Sequence, residues 1–208
     1  MSAAVAPSAP PVPSPTPLLS IAGFRRITPQ QYHNLHLSGV IMEGEPVELL
    51  EGYMVEKKMR NPPHDSAIRR LTLLLPRHVP AGWLPQIQCA VSLGASEPEP
   101  DGAILRGDIT TWDHRLPSAD DFGIAIEVSD STLAFDRRDK GRIYARAGIP
   151  VYWIVNVVDS CVEVYTDPDP TANPPAYRAT ATFAVGQSVP LVLDGVTVAT
   201  IPVAEFLA

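Results

Sequence analysis

Asp101, Glu127 and Lys140 are the side chains whose types and places could do chemistry together. Asp101 opens a short apolar run, Ala103 to Leu105, and Glu127 lies inside a longer one, Phe122 to Val128. Alternate residues of a strand face opposite ways, so Ile124, Ile126 and Val128 share one face and Ala125, Glu127 and Ser129 the other. A carboxylate within an apolar strand is costly unless it is paired or binds a metal. If the two runs are neighbouring strands, Asp101 and Glu127 meet at one edge of the sheet. Two hard oxygen ligands plus water suit magnesium or manganese.

The elements that must position them can be read in order. Ile27 to Leu37 reads as a short helix, with Thr28 as N-cap, Pro29 at the first helical position and Gly39 at the stop. Val47 to Lys57 reads as a hairpin turning at Glu51-Gly52. His64 to Val79 carries Ala67, Ile68, Leu71, Leu74 and Leu75 at helical spacing, with Asp65 or Ser66 as the cap. Trp83 to Leu93 alternates through Ile87, Cys89 and Val91, which predicts a half-buried strand. The strands at Ala103 to Leu105 and Phe122 to Val128 are separated by a polar loop, Arg106 to Asp121.

A helix over Asp136 to Ala147 follows, stopped by Gly148. Lys140 and Tyr144 are four apart and share a face, so Lys140 can reach along the sheet edge with Tyr144 below it. Gly141 inside this helix would be explained by a close backbone approach. Val151 to Val158 is a continuous apolar run, expected as a buried strand parallel to the Glu127 strand. Cys161 to Tyr165, Tyr177 to Phe183, Val189 to Leu193 and Val196 to Ile201 read as further strands. Asp167 to Pro175 reads as a loop, Asp194-Gly195 as a hairpin turn, and Val203 to Leu207 as a short closing helix.

Four segments, PEPDGAIL, IEVSDST, DRRDKGRIYARAG and IPVYWIVN, occur in an order similar to that of the Uma-two family of endonucleases. The resemblance covers roughly Glu45 to the C-terminus. It implies the PD-(D/E)XK restriction-endonuclease-like fold: α+β, a mixed central sheet flanked by helices, here with extra C-terminal antiparallel strands. It implies Asp101 and Glu127 as ligands of magnesium or manganese. The superfamily pattern places a lysine two residues after the glutamate, where this chain has Ser129; the family usually moves that lysine to the following helix, which implies Lys140. It also implies accessory roles for Glu51, which precedes a glycine, and for His64, with Ser129 and Tyr144 beside the centre.

A chain of 208 residues suits one domain, expected over residues 21–208. Residues 1–20 hold six prolines and read as a disordered tail, without a secretory signal. No run approaches a membrane span. Two cysteines, Cys89 and Cys161, are expected as buried free thiols in a reducing, cytoplasmic compartment. The net charge of −7 argues against coating nucleic acid by bulk charge and leaves room for a local basic face. Arg69 on the first long helix and Arg137, Arg138 and Arg142 on the second are the cations expected to meet nucleic acid, DNA above all. Cutting both strands with one site per chain would call for a homodimer. The reading is therefore a metal-dependent endonuclease. The alternative is a nucleic-acid- or protein-binding module of the same fold without turnover.

Overall fold

The Phe122–Ser129 run becomes an inner strand of a six-stranded sheet in the computed structural model, which describes residues 25–207. The tail read over residues 1–20 lies outside them. In chain order the elements are α1 (Pro29–Leu37), the hairpin β1 (Val47–Leu50) and β2 (Tyr53–Glu56), α2 (Pro62–His78), β3 (Trp83–Ile87), β4 (Gly102–Arg106) and β5 (Phe122–Ser129). Then come α3 (Leu133–Phe135), a π-turn over Asp136–Lys140, α4 (Gly141–Ala147), β6 (Val151–Asn156), β7 (Cys161–Asp169) and β8 (Ala176–Ala184). A hairpin of β9 (Ser188–Leu193) and β10 (Val196–Pro202) closes the fold.

The sheet order is β3-β4-β5-β6-β7-β8. Only β5 and β6 run parallel within it, joined through the helical segment as the continuous apolar run predicted. The register sets Gly102 opposite Ile126 and Glu127 beside Ile154. One face of the sheet packs Ile104, Ile124, Ile126, Val128 and Trp153 against α2 and the β9–β10 hairpin. The other packs Ala103, Ala125, Tyr152 and Ile154 against Tyr144 of α4. Glu127 belongs to this second face by its alternation with Ile126 and Val128. The hairpin approaches so closely at Gly123 that a Cβ there would lie 2.6 Å from Leu193 and from Trp83.

Several boundaries differ from expectation for local physical reasons. The cap of α2 is Asn61, whose side chain accepts from the His64 N–H; Pro62 and Pro63 then fill the first turn, where no amide donor is needed. The strand expected over Trp83 to Leu93 ends at Ile87, because Gln88 adopts a φ of 53°. Cys89 beyond it is exposed, while Cys161 is buried. Helical structure begins at Leu133, not Asp136, and passes through the π-turn before α4. Gly141 needs no close approach, since a Cβ there would meet its nearest atom at 3.5 Å. Strand β7 runs on to Asp169, into the expected loop, and the closing helix is a single turn at Val203–Glu205.

Candidate active site

Antiparallel pairing of β4 with β5 brings Asp101, the residue before β4, against Glu127. The Asp101 N–H points at Glu127 Oε2 across 3.4 Å. The Asp101 carboxylate is held on three sides. The Val128 N–H donates to Oδ2 at 2.9 Å, His64 Nε2 stands 3.2 Å from the same oxygen, and Gln88 donates to Oδ1 at 3.2 Å. Burial alone would push this carboxyl up; His64, the Val128 amide and Gln88 outweigh it and hold it below the usual range. The same pairing, with Asp65 nearby, raises the His64 imidazole despite its burial.

Glu127 is buried, and its two oxygens face different neighbours. While Oε2 faces the Asp101 amide, Oε1 accepts from the Tyr144 hydroxyl at 2.6 Å and lies 3.3 Å from Lys140 Nζ. Burial pushes the Glu127 carboxyl up to about 8; Lys140 opposes this, and Asp101, Asp136 and Glu48 add to it. Burial would pull the Lys140 ammonium down, but Glu127 and Glu48 keep it charged. Burial, then the charge of Glu127, keeps the Tyr144 hydroxyl protonated as a donor.

The π-turn explains how one short helical stretch serves two places. Asp136, Lys140 and Tyr144 are all buried, four residues apart. Asp136 accepts from Ser129 and from Thr132, each at 2.6 Å. Ser129, standing where the superfamily pattern has lysine, is thus fully buried and committed to Asp136.

Of the two hairpin acids Glu48 and Glu51, Glu51 is the one expected at the site, yet it is Glu48 whose Oε2 accepts from Lys140 Nζ at 2.7 Å. The turn acid Glu51 looked the better candidate. It instead pairs with Arg142 at 2.5 Å and with Arg146, away from the cluster. The usable signal was the burial of β1, whose Glu48 sits among Leu49 and Leu50. Of the cations expected to meet nucleic acid, Arg137 forms a fork with Glu163 at 3.0 and 2.6 Å, and Arg142 is tied to Glu51. Arg69 is exposed on α2, and Arg138 is exposed beside Asp139. Arg60, from the segment between β2 and α2, stands closer to the centre: it donates to Gln88 at 2.7 Å, and Gln88 to Asp101, while Lys57 pairs with Glu99 at 2.8 Å and Lys58 donates to the Ser131 carbonyl at 3.0 Å.

The donor set suits a hard divalent cation. Carboxylates at Glu48, Glu127 and Asp136 surround one ammonium, Lys140, and Asp101 lies against the His64 imidazole, so carboxylates outnumber cations in the cluster. Among the described residues no three His, Cys, Asp or Glu side chains form a ready-made cage, so Asp101 and Glu127 would share an ion with water.

A mixed six-stranded central sheet, with helices and an extra antiparallel hairpin around it, is the architecture of a restriction-endonuclease-like fold, and the family match agrees with it. The chain belongs to the Uma2 family, described as "Putative restriction endonuclease", whose profile matches residues 29–202. The fold is also that of a crystal structure from Anabaena variabilis, described as "a putative nuclease belonging to DUF820". That likeness has a TM-score of 0.58 at 16% identity and covers 86% of this chain and 97% of that one. No curated protein matches the sequence.

Proposed function

We propose that the protein is a divalent-metal-dependent endonuclease acting on DNA, with Asp101 and Glu127 as the ligands of magnesium or manganese. The observation that carries this is the juxtaposition of Asp101 and Glu127 at the β4–β5 crossing, where the Asp101 backbone N–H lies 3.4 Å from Glu127 Oε2 and the Asp101 charge acts on Glu127, with Lys140 3.3 Å from Glu127. A divalent ion bound there would polarise the scissile phosphodiester and lower the pKa of an attacking water.

The chain's own residues supply the rest. His64, Gln88 and the Val128 amide fix the Asp101 carboxylate, and Tyr144 fixes Glu127. Such supporting bonds preserve ligand orientation. Lys140 adds a fixed positive charge at the edge of the centre, where charge develops on the phosphoryl oxygens. Arg60, which donates to Gln88 on the Asp101 side, is the cation best placed to hold the backbone, in a chain whose overall net charge is −7. Two protomers would be needed to cut both strands.

The test is cleavage of plasmid and single-stranded DNA with Mg2+, Mn2+ and chelator, using the full chain and Asp101→Asn. Divalent-dependent cleavage lost in the variant is the expected result. Absence of both ion binding and cleavage in the unmodified chain would favour a binding module without turnover.

A further inference from the structure

We propose that Glu48 and Glu127 form a second cation position that the Lys140 ammonium permanently fills, so the centre takes one divalent ion and not two. This rests on the reading of Asp101 and Glu127 as ligands and goes beyond it in ion count and in the role of Glu48.

The geometry is that of a carboxylate with one oxygen toward the Asp101 backbone N–H and the other toward an ammonium. Glu127 Oε2 faces the Asp101 side, and Oε1 faces Lys140. Lys140 Nζ lies 2.7 Å from Glu48 Oε2 and 3.3 Å from Glu127 Oε1. The side chains of Lys140, Glu48 and Glu127 are 5%, 6% and 7% exposed. An ammonium so enclosed does not wander out to solvent, and its two partners come from elements far apart in sequence, β1 and β5. Glu48 is itself fixed, because its Oε2 also accepts from the Glu99 N–H at 3.2 Å. Glu48 is then a positioning residue. It holds Lys140 in place and does not itself meet the substrate.

Removing the ammonium while keeping its stem volume should open that position. Mn2+ binding to the full chain is counted by isothermal titration and by metal content after gel filtration. The unmodified protein should bind one ion per chain, and Asp101→Asn should lose it. Lys140→Met should bind two, and Glu48→Gln/Lys140→Met should return to one. Lys140→Met should also gain more in melting temperature from Mn2+ than the unmodified protein does, because a second ion binds only its folded state. Should Lys140→Met fail to fold in chelator, Lys140→Gln, refolded with Mn2+, gives the same count. A single ion in the Lys140 variants, with Asp101→Asn still abolishing binding in the parent, overturns the second position and leaves the ligand reading intact. No ion in the unmodified chain overturns both.

Discussion

At the scale of single residues the centre is built from groups with opposite needs. Asp101 is buried but well supplied with donors, whereas Glu127 is buried among other carboxylates with one ammonium and one hydroxyl. Asp101→Asn and Glu127→Gln should each reduce ion affinity and cleavage by at least about 100-fold, since each replaces an anionic ligand with an amide. Tyr144→Phe removes only a supporting bond to Glu127 and should weaken ion binding about 10-fold, read by titration. Lys140→Ala should keep the ion at Asp101 and slow the chemistry, which a single-turnover assay separates from binding. Glu127 also carries a stability signature. Its folded pKa is raised to about 8, so in chelator it is mainly neutral near pH 6 and becomes charged as pH rises through 8. Glu127→Gln should therefore match the unmodified protein in melting temperature below about pH 4.5, exceed it by a growing margin as pH rises to about 8, and keep that margin above pH 8; a difference that stays constant from pH 4 to 8 would refute the argument.

At the scale of elements, packing decides what propensity leaves open. Gly123 is the contact point of β5 with the β9–β10 hairpin, so Gly123→Ala should cost about 1–3 kcal/mol in denaturant unfolding as Leu193 and Trp83 are forced aside. Gly141→Ala should do the reverse and stabilise by up to about 1 kcal/mol, because φ is −55° there and a Cβ has ordinary room. Asn61→Ala should cost about 1 kcal/mol through loss of the α2 cap. These cases also show what could be read from sequence. The α1 cap at Thr28, the hairpin at Glu51-Gly52, the α2 stripe and the parallel β5–β6 pair all rest on local spacing and were legible. The π-turn was not, since its extra residue is selected by Ser129 and Thr132 holding Asp136 while Lys140 reaches Glu48. Glu48 stands in a short apolar strand, which marks it as an unusual acid, but its partner lies 92 positions away and local pattern could not say which cation it meets. Cys89 was misplaced because one residue with positive φ, Gln88, ended an otherwise good alternation.

At the scale of the molecule, two carboxylates tie distant parts of the sheet to their surroundings, and both act in the same direction with pH. Asp121 pairs with Arg115 at 2.6 Å and accepts from the Ser118 amide and hydroxyl, closing the loop that leads into β5. The Arg115 hydrogen bond, the largest influence, holds this carboxyl far below the usual range. Glu163 on β7 takes the Arg137 fork, the Tyr165 hydroxyl and the Asn156 amide, which together outweigh its burial and depress it as well. A carboxylate whose folded pKa is depressed contributes stability above its unfolded pKa and loses it as pH falls through the folded value. For these groups the unfolded values lie near pH 4, so the loss begins below roughly pH 4 and continues through more acidic solution. Asp121→Asn and Glu163→Gln should each melt below the unmodified protein at pH 7. The difference should shrink steadily under roughly pH 4, because protonation removes from the unmodified chain the charge that the variants already lack. Both arginines are about half exposed, so moderate salt should narrow the pH 7 difference without abolishing it. Melting curves from pH 2.5 to 7 decide the matter, and a difference that stays constant across that range would show that shape, not charge, is what these two residues contribute.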